Sequence, residues 1–196
     1  MTNSEQTSIA WDQLPGDRRD KSRFVLVTED QLRAVFGAAR WGRYYAWVMR
    51  ISVAADERVG VAEELVVELE RRGFETLVHG ALADGERDDW AWASAAAARD
   101  VAEGRADQAV VCCWTGTGAS IAANKVAGIR AALCGDAATA AGARKWNDAN
   151  VLALSLRSTS TAELTEILDA WFGGEPSVDA RDRANIAHLA KIERGH

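Results

Sequence analysis

From Arg50 onward the apolar positions of this chain fall into two alternating kinds of run. Short, nearly continuous apolar segments at 50–55, 74–79, 109–113, 128–134 and 150–155 read as strands buried on both faces. Between them, segments at 59–72, 89–104, 137–146 and 161–172 carry the three-to-four spacing of helices, and a glycine-rich loop leads into another helix ending near Val126. Gly73 stands where a helix C-cap is wanted. Strands that alternate with helices require parallel pairing and right-handed crossovers. The pattern therefore predicts an α/β fold, a three-layer doubly wound (Rossmann-like) parallel sheet of about five strands, followed by a charged C-terminal helix over 179–193. Such sheets bind ligands at the carboxyl ends of their strands. Asp56, Cys113, Asp136 and Ser155 all fall at such ends.

The first 48 residues follow a different pattern, which predicts an N-terminal extension (1–48) ahead of the α/β domain (49–196). Residues 1–22 are polar and read as a flexible tail with a turn at Pro15-Gly16. A short strand is expected over 23–27. Thr28-Glu29-Asp30-Gln31 then has the form of a capping box opening a helix to about Arg40. At 196 residues and 48% hydrophobic, the chain supports a sizeable core. A net charge of −6 argues against nucleic acid or an anionic membrane as the primary partner. No apolar run approaches the ~18 residues of a membrane span, and nothing resembles a signal peptide. Three cysteines, two of them adjacent, make no disulfide framework, so a cytoplasmic setting is expected. His79, His188 and His196 are scattered and pair with no cysteine at ligand spacing, so neither a metal nor a cofactor is expected.

The candidate chemistry concentrates in residues 110–124, VVCCWTGTGASIAAN. This is a strand, a tight loop of small residues and a helix start, with cysteine at the hinge. Successive strand side chains point to opposite faces, so Cys112 and Cys113 cannot both face the loop. Backbone amides of residues 115–120 would point at whatever sits there, and a helix start favours negative charge. A thiol and an anion cradle thus lie side by side. Gly116-Thr117-Gly118 lacks the third glycine and the downstream acid of a dinucleotide fingerprint.

The segment SIAANKVAGIRAALC (120–134), followed by NDANVLAL (147–154), resembles the ribose-5-phosphate isomerase type B family, which includes the galactose-6-phosphate isomerase subunits. MRISVAAD (49–56) is similar to that family's first strand, and the likeness runs over roughly 49–193. The resemblance implies a metal-independent, cofactor-free aldose–ketose isomerase that moves a proton between adjacent carbons of a sugar or sugar phosphate through a cis-enediolate. Cys113 would be the base, and Thr115 with the loop amides would stabilise the enediolate. Substrate-binding positions carried over are Asp56, Glu57, Arg58, Trp90, Trp114, Gly116, Thr117, Gly118, Ser120, Trp146, Asn147 and Arg181. The family also implies a homodimer, with a tetramer as the higher option, whose pockets use both subunits. Asn147 would then lie by the partner's pocket, and the last helix would cross to the other subunit.

Several of these positions depart from the family pattern. Trp114 replaces a glycine, and Trp146 replaces the histidine that opens the sugar ring. Glu57, followed by Arg58, replaces a second histidine, and Asp89-Trp90-Ala91 stands for Asp-Tyr-Pro. Of two arginines one turn apart in the last helix, Arg181 remains and Asn185 takes the other place. Indole carries one donor and no basic nitrogen, so Trp146 cannot do a histidine's acid–base work. The pocket is expected to have aromatic walls and a reduced grip on anions. That suits a substrate other than ribose 5-phosphate: a tetrose, an acyclic or unphosphorylated polyol derivative, or a non-sugar metabolite with an enolisable carbonyl. A second reading stays open, in which a non-catalytic homologue uses the tryptophan-lined cleft to bind a ligand or partner. Cys112 and Cys134 are expected in the core.

Overall fold

The computed structural model describes residues 24–26 and 45–195, and the chain divides into two compact units, Met1–Met49 and Arg50–His196. In the first unit, β1 (Phe24–Leu26) and β2 (Tyr45–Trp47) form an antiparallel pair, with Val25 opposite Ala46. The strand expected at 23–27 is present as β1. The strand β2 was not expected, because three residues carry no periodicity of their own. The predicted tail and the helix over 28–40 lie outside the described residues.

The second unit builds β3 (Arg50–Ala55), α1 (Ala62–Arg71), β4 (Glu75–Gly80), α2 (Trp90–Ala102), β5 (Gln108–Cys113), α3 (Thr117–Ala123), β6 (Ala131–Leu133), α4 (Ala137–Asn147), β7 (Val151–Ser155), α5 (Thr161–Phe172) and α6 (Ala180–Glu193). Its five strands run parallel in the order β4-β3-β5-β7-β6, a doubly wound sheet as the apolar pattern predicted. Helices α2 and α3 pack together against the sheet, and α4 packs on α5. Two boundaries differ from the sequence reading. The strand expected at 128–134 contracts to Ala131–Leu133, because Arg130 and Gly128 turn their amides to the Asn150 and Glu193 side chains instead of a ladder. The helix expected from Val59 starts at Ala62.

Two kinds of core flank the sheet. Under α2 and α3 it is made of small side chains: Ala54, Ala93, Ala97, Ala98, Val111, Cys113, Ala119 and Ala123. Small residues let the helices approach closely, which brings the starts of both to the edge of the sheet. Elsewhere large groups fill the space: Trp171 is fully buried and its indole N–H donates to Gln108 Oε1 at 2.6 Å. Burying an aromatic ring of ~150–250 Å² stabilises by about 4–6 kcal/mol before the cost of ordering it. Ser160 and Glu163 close a reciprocal capping box at the start of α5. Among the described residues no helix is long and apolar enough to cross a membrane.

Candidate active site

In this sheet the chain leaves β3 toward β4 on one side, and β5 lies on the other. The carboxyl ends of β3 and β5 therefore flank the topological switch point, where open α/β sheets form their ligand crevice. Asp56 follows the first of these strands and Trp114 the second. They meet there, the Trp114 backbone N–H near enough to the Asp56 carboxylate to favour its charged form. Asp56 Oδ1 is buried and has no hydrogen-bond partner among the described residues. Burial pushes the Asp56 carboxyl above its ordinary range, and the neighbouring charges of Glu57 and Asp88 push the same way. Backbone N–H donors oppose them without reversing the direction.

Cys113 ends β5 on the face covered by α2 and α3, 5% exposed, and the Ala119 N–H donates to its sulfur at 3.4 Å. Cys112 points to the opposite face, where burial first, then the proximity of Cys113 and Asp56, pushes its thiol far above the ordinary range. Burial also pushes the Cys134 thiol up, to about 12, with Asp136 adding to it. Those two cysteines are core residues, as expected. Cys113 alone of the three is met by the loop.

The loop is bolted to the neighbouring strand. The Trp114 carbonyl accepts the Ser155 hydroxyl at 2.9 Å and the Arg157 N–H at 3.1 Å. Gly116 holds a left-handed backbone, φ +75°, which turns the chain sharply into α3. The Thr115 and Thr117 hydroxyls are paired at 2.6 Å. The anion cradle is narrower than the sequence implied: the Gly116 N–H goes to the Cys113 carbonyl and the Ser120 N–H to the Gly116 carbonyl. Thr117 and Gly118, in the first turn of α3, keep amides without an intrahelical acceptor. The Trp90 indole lies against Gly118, close enough that a Cβ there would sit 3.0 Å from ring atom Cε3. Trp90 opens α2, so this contact carries that helix start onto the loop.

The remaining expected residues are open to solvent, turned to other partners or carried to the other edge. Glu57 is exposed. The Arg58 guanidinium turns to the Ala81 and Leu82 carbonyls and to Glu63. Asp136 caps α4 through the Thr139 N–H at 2.7 Å. Asn124 of the SIAANK segment clasps Ala131, tying the end of α3 to β6. Trp146 and Asn147 end α4, which runs back to the amino edge of the sheet, where the Asn147 carbonyl accepts from Arg130. The Trp146 ring is 56% exposed and folds over Gly142 of its own helix. Helix α6 starts near that same edge, since the Ser177 N–H donates to the Lys145 carbonyl, and it buries no residue. Arg181 in its first turn is exposed. One chain thus gathers Asp56, Trp90, Cys113, Trp114, Thr115, Gly116, Thr117, Gly118 and Ser120 at the carboxyl edge, and leaves Trp146, Asn147 and Arg181 at the other. Arg157 belongs with the first group and was missed by the sequence reading. It is an exposed cation whose backbone is bonded to Trp114. Its position just past the β7 strand end was the available signal.

Residues 51–189 match the Ribose/Galactose Isomerase family model. The chain belongs to that family. It is 40% identical over 131 residues to the ribose-5-phosphate isomerase B of Escherichia coli K12, covering 67% of this chain and 87% of that protein. It is 31% identical over 129 residues to the D-erythrulose-4-phosphate isomerase of Pectobacterium atrosepticum, covering 65% of this chain and 85% of that one. The solved Clostridium thermocellum ribose-5-phosphate isomerase B superposes with a TM-score of 0.69 at 33% identity, over 75% of this chain and 99% of that chain. The resemblance read from SIAANK and NDANVLAL is thereby shown, and the α/β fold with it.

Proposed function

We propose that this chain is an aldose–ketose isomerase that passes a proton between adjacent carbons through a cis-enediolate, on a substrate that needs no ring opening. The observation that carries the reading is the Cys113 sulfur at the switch point, met by the Ala119 amide and followed by the paired hydroxyls of Thr115 and Thr117. Cys113, as thiolate, takes the proton from the carbon bearing the hydroxyl next to the carbonyl. The C–H electron pair moves into the carbon–carbon bond and the carbonyl π pair onto oxygen. The Thr117 and Gly118 amides and the Thr115 hydroxyl offer donors to the oxygens of that enediolate. The same thiol returns its proton to the former carbonyl carbon, and a hydroxyl proton passes between the two oxygens.

A tetrose 4-phosphate suits the departures at Trp146 and Glu57. Its O4 is esterified, so it cannot close a five-membered ring and a ring-opening histidine is dispensable. The likeness to a D-erythrulose-4-phosphate isomerase supports that class. In this reading Arg157, exposed just past β7, would meet the phosphate, and Trp90 and Trp114 would wall the carbon chain. Trp146, Asn147 and Arg181 would complete the pocket from the amino edge of a second copy, in a homodimer.

Proton exchange followed by NMR in deuterated water tests the reading, over phosphorylated and free three- to six-carbon sugars, with wild type and Cys113→Ala. Exchange α to the carbonyl of a tetrose phosphate, abolished in the variant, is the expected result. Rapid turnover of ribose 5-phosphate would overturn the altered substrate. Wild type inert toward every sugar would favour a non-catalytic homologue that binds ligand in the tryptophan-lined cleft.

A further inference from the structure

Beneath the loop that leads into α2 lies a buried polar cluster with no part in the proton transfer. Asp100, 4% exposed, accepts three side chains: Ser52 at 2.8 Å and His79 at 2.7 Å on Oδ2, and Arg105 at 2.7 Å on Oδ1. Burial alone would raise the Asp100 carboxyl, yet these three donors hold it below its ordinary range, so it stays an anion. The other ring nitrogen of His79, Nδ1, lies 3.0 Å from Glu86 Oε2, which also accepts the Gly80 N–H at 3.2 Å. Ionised carboxylates only accept, and a neutral imidazole has a single N–H, so only the doubly protonated ring donates to both.

The group at the far end of this chain of bonds matters to the site. Glu86 lies in the 81–89 loop, whose start is held by Arg58 on the Ala81 and Leu82 carbonyls. The loop ends at Asp89, the N-cap of α2, and the next residue is Trp90 on Gly118. It also carries Asp88, whose charge acts on Asp56. Glu86 thus anchors the loop a few residues before Trp90, through the His79 imidazole and the Gly80 N–H.

We propose that His79 is a positioning residue, a proton-dependent strap whose imidazolium ties the 81–89 loop to Asp100 and so holds the Trp90 wall over Gly118 in the reaction proposed above. The charged groups that face it are Asp100 from α2 and Glu86 from the loop. Arg105 sits on the other oxygen of Asp100, and Ser52 of β3 shares Oδ2. When the ring loses a proton, one nitrogen presents a lone pair to a carboxylate. The weaker grip is then the one on Glu86, whose carboxylate water can solvate, while the Asp100 carboxylate is buried.

The test uses the full chain labelled with 5-fluorotryptophan, read by fluorine NMR without any sugar, across about pH 5 to 8, where an imidazole changes charge. Trp90→Phe assigns the Trp90 line, and the line of buried Trp171 reports the fold. In wild type the Trp90 line is expected to move with pH while Trp171 stays. In His79→Gln and Glu86→Ala the Trp90 line should sit at the high-pH position throughout. With a turned-over sugar, KM of the variants should lie several-fold above wild type at about pH 5, at equal kcat, and the two should converge by about pH 8. A Trp90 line that ignores pH, or that still titrates in His79→Gln, overturns the proposal. If His79→Gln displaces Trp171, the surface variant Glu86→Ala decides. Because the spectra need no substrate, a failure of the isomerase reading leaves this result standing.

Discussion

Replacing Gly116 by alanine separates backbone strain from steric blockade at the candidate site. Gly116 sits at φ +75°, a left-handed conformation that costs a side-chain-bearing residue about 1–2 kcal/mol. The added methyl would lie 2.5 Å from Leu133 Cδ1 and 2.9 Å from the Leu154 carbonyl carbon and oxygen. Leu133 is 40% exposed and can swing away. The Leu154 carbonyl belongs to the backbone of β7, so the loop itself must lift, at an overpacking cost of ~1–3 kcal/mol. The sum, about 2–5 kcal/mol, is smaller than the ~5–15 kcal/mol of a folded domain, so the variant still folds at room temperature. At about 2–4 °C per kcal/mol for a domain of this size, Tm should fall by ~4–20 °C. Gly128→Ala is the control: φ is +79°, with nothing within 4 Å of the added carbon, so only the backbone cost applies. Its Tm should fall by ~2–8 °C. Scanning calorimetry on both variants measures the difference, and proton exchange reports the site. Gly116→Ala should lose most exchange, because the Ala119 amide and Thr115 move with the loop, whereas Gly128→Ala should keep it. Equal Tm losses would refute the steric argument, and two unchanged melting points would refute the left-handed assignment.

Three further tests bear on the chemistry. Cys113→Ser keeps a small side chain under the Ala119 amide, so Tm should hold while proton exchange falls by about 100-fold or more, the scale of a lost general base; retained exchange would remove Cys113 from the mechanism. Asp56 has its folded-state carboxyl raised by burial, so the stability it contributes is fully present below about pH 4 and is lost as pH rises through its folded-state value. Asp56→Asn keeps the size of the side chain but does not titrate, so its Tm relative to wild type should be more favourable at pH 7 than at about pH 3; a pH-independent difference in calorimetry would contradict the buried-charge argument. Arg157→Gln should raise KM for a phosphorylated substrate by roughly 10-fold or more, with little effect on its unphosphorylated counterpart, if the exposed guanidinium meets the phosphate; equal changes for both would assign Arg157 to loop structure alone.

The apolar runs and helical spacings determined the doubly wound sheet, because a strand buried on both faces and a helix with one buried stripe each write their own periodicity into the chain. The same local signal placed Cys113 at a strand end before small residues, and the SIAANK and NDANVLAL segments identified the family. The three-residue β2 was beyond such reading, because its partner β1 lies far away in sequence and the pair has no period of its own. The sequence alone also overstated the anion cradle: which amides are free depends on the turn at Gly116, whose own N–H goes to the Cys113 carbonyl and whose carbonyl takes the Ser120 N–H.

Tertiary structure decided how the candidate residues group. Trp90 meets Gly118 only because the alanine-lined core lets α2 and α3 close on each other, and Asp56 meets Trp114 only because β3 and β5 are neighbours across the switch point. Trp146 and Asn147 follow Cys113 in the family pattern, yet α4 runs antiparallel to the strands and returns them to the opposite edge. His79, unremarkable in sequence, gains its place between Asp100 and Glu86 from the register of β4 beside β3. Periodicity records the surroundings of each residue along its own element, whereas strand order and crossover direction set which distant residues share an edge.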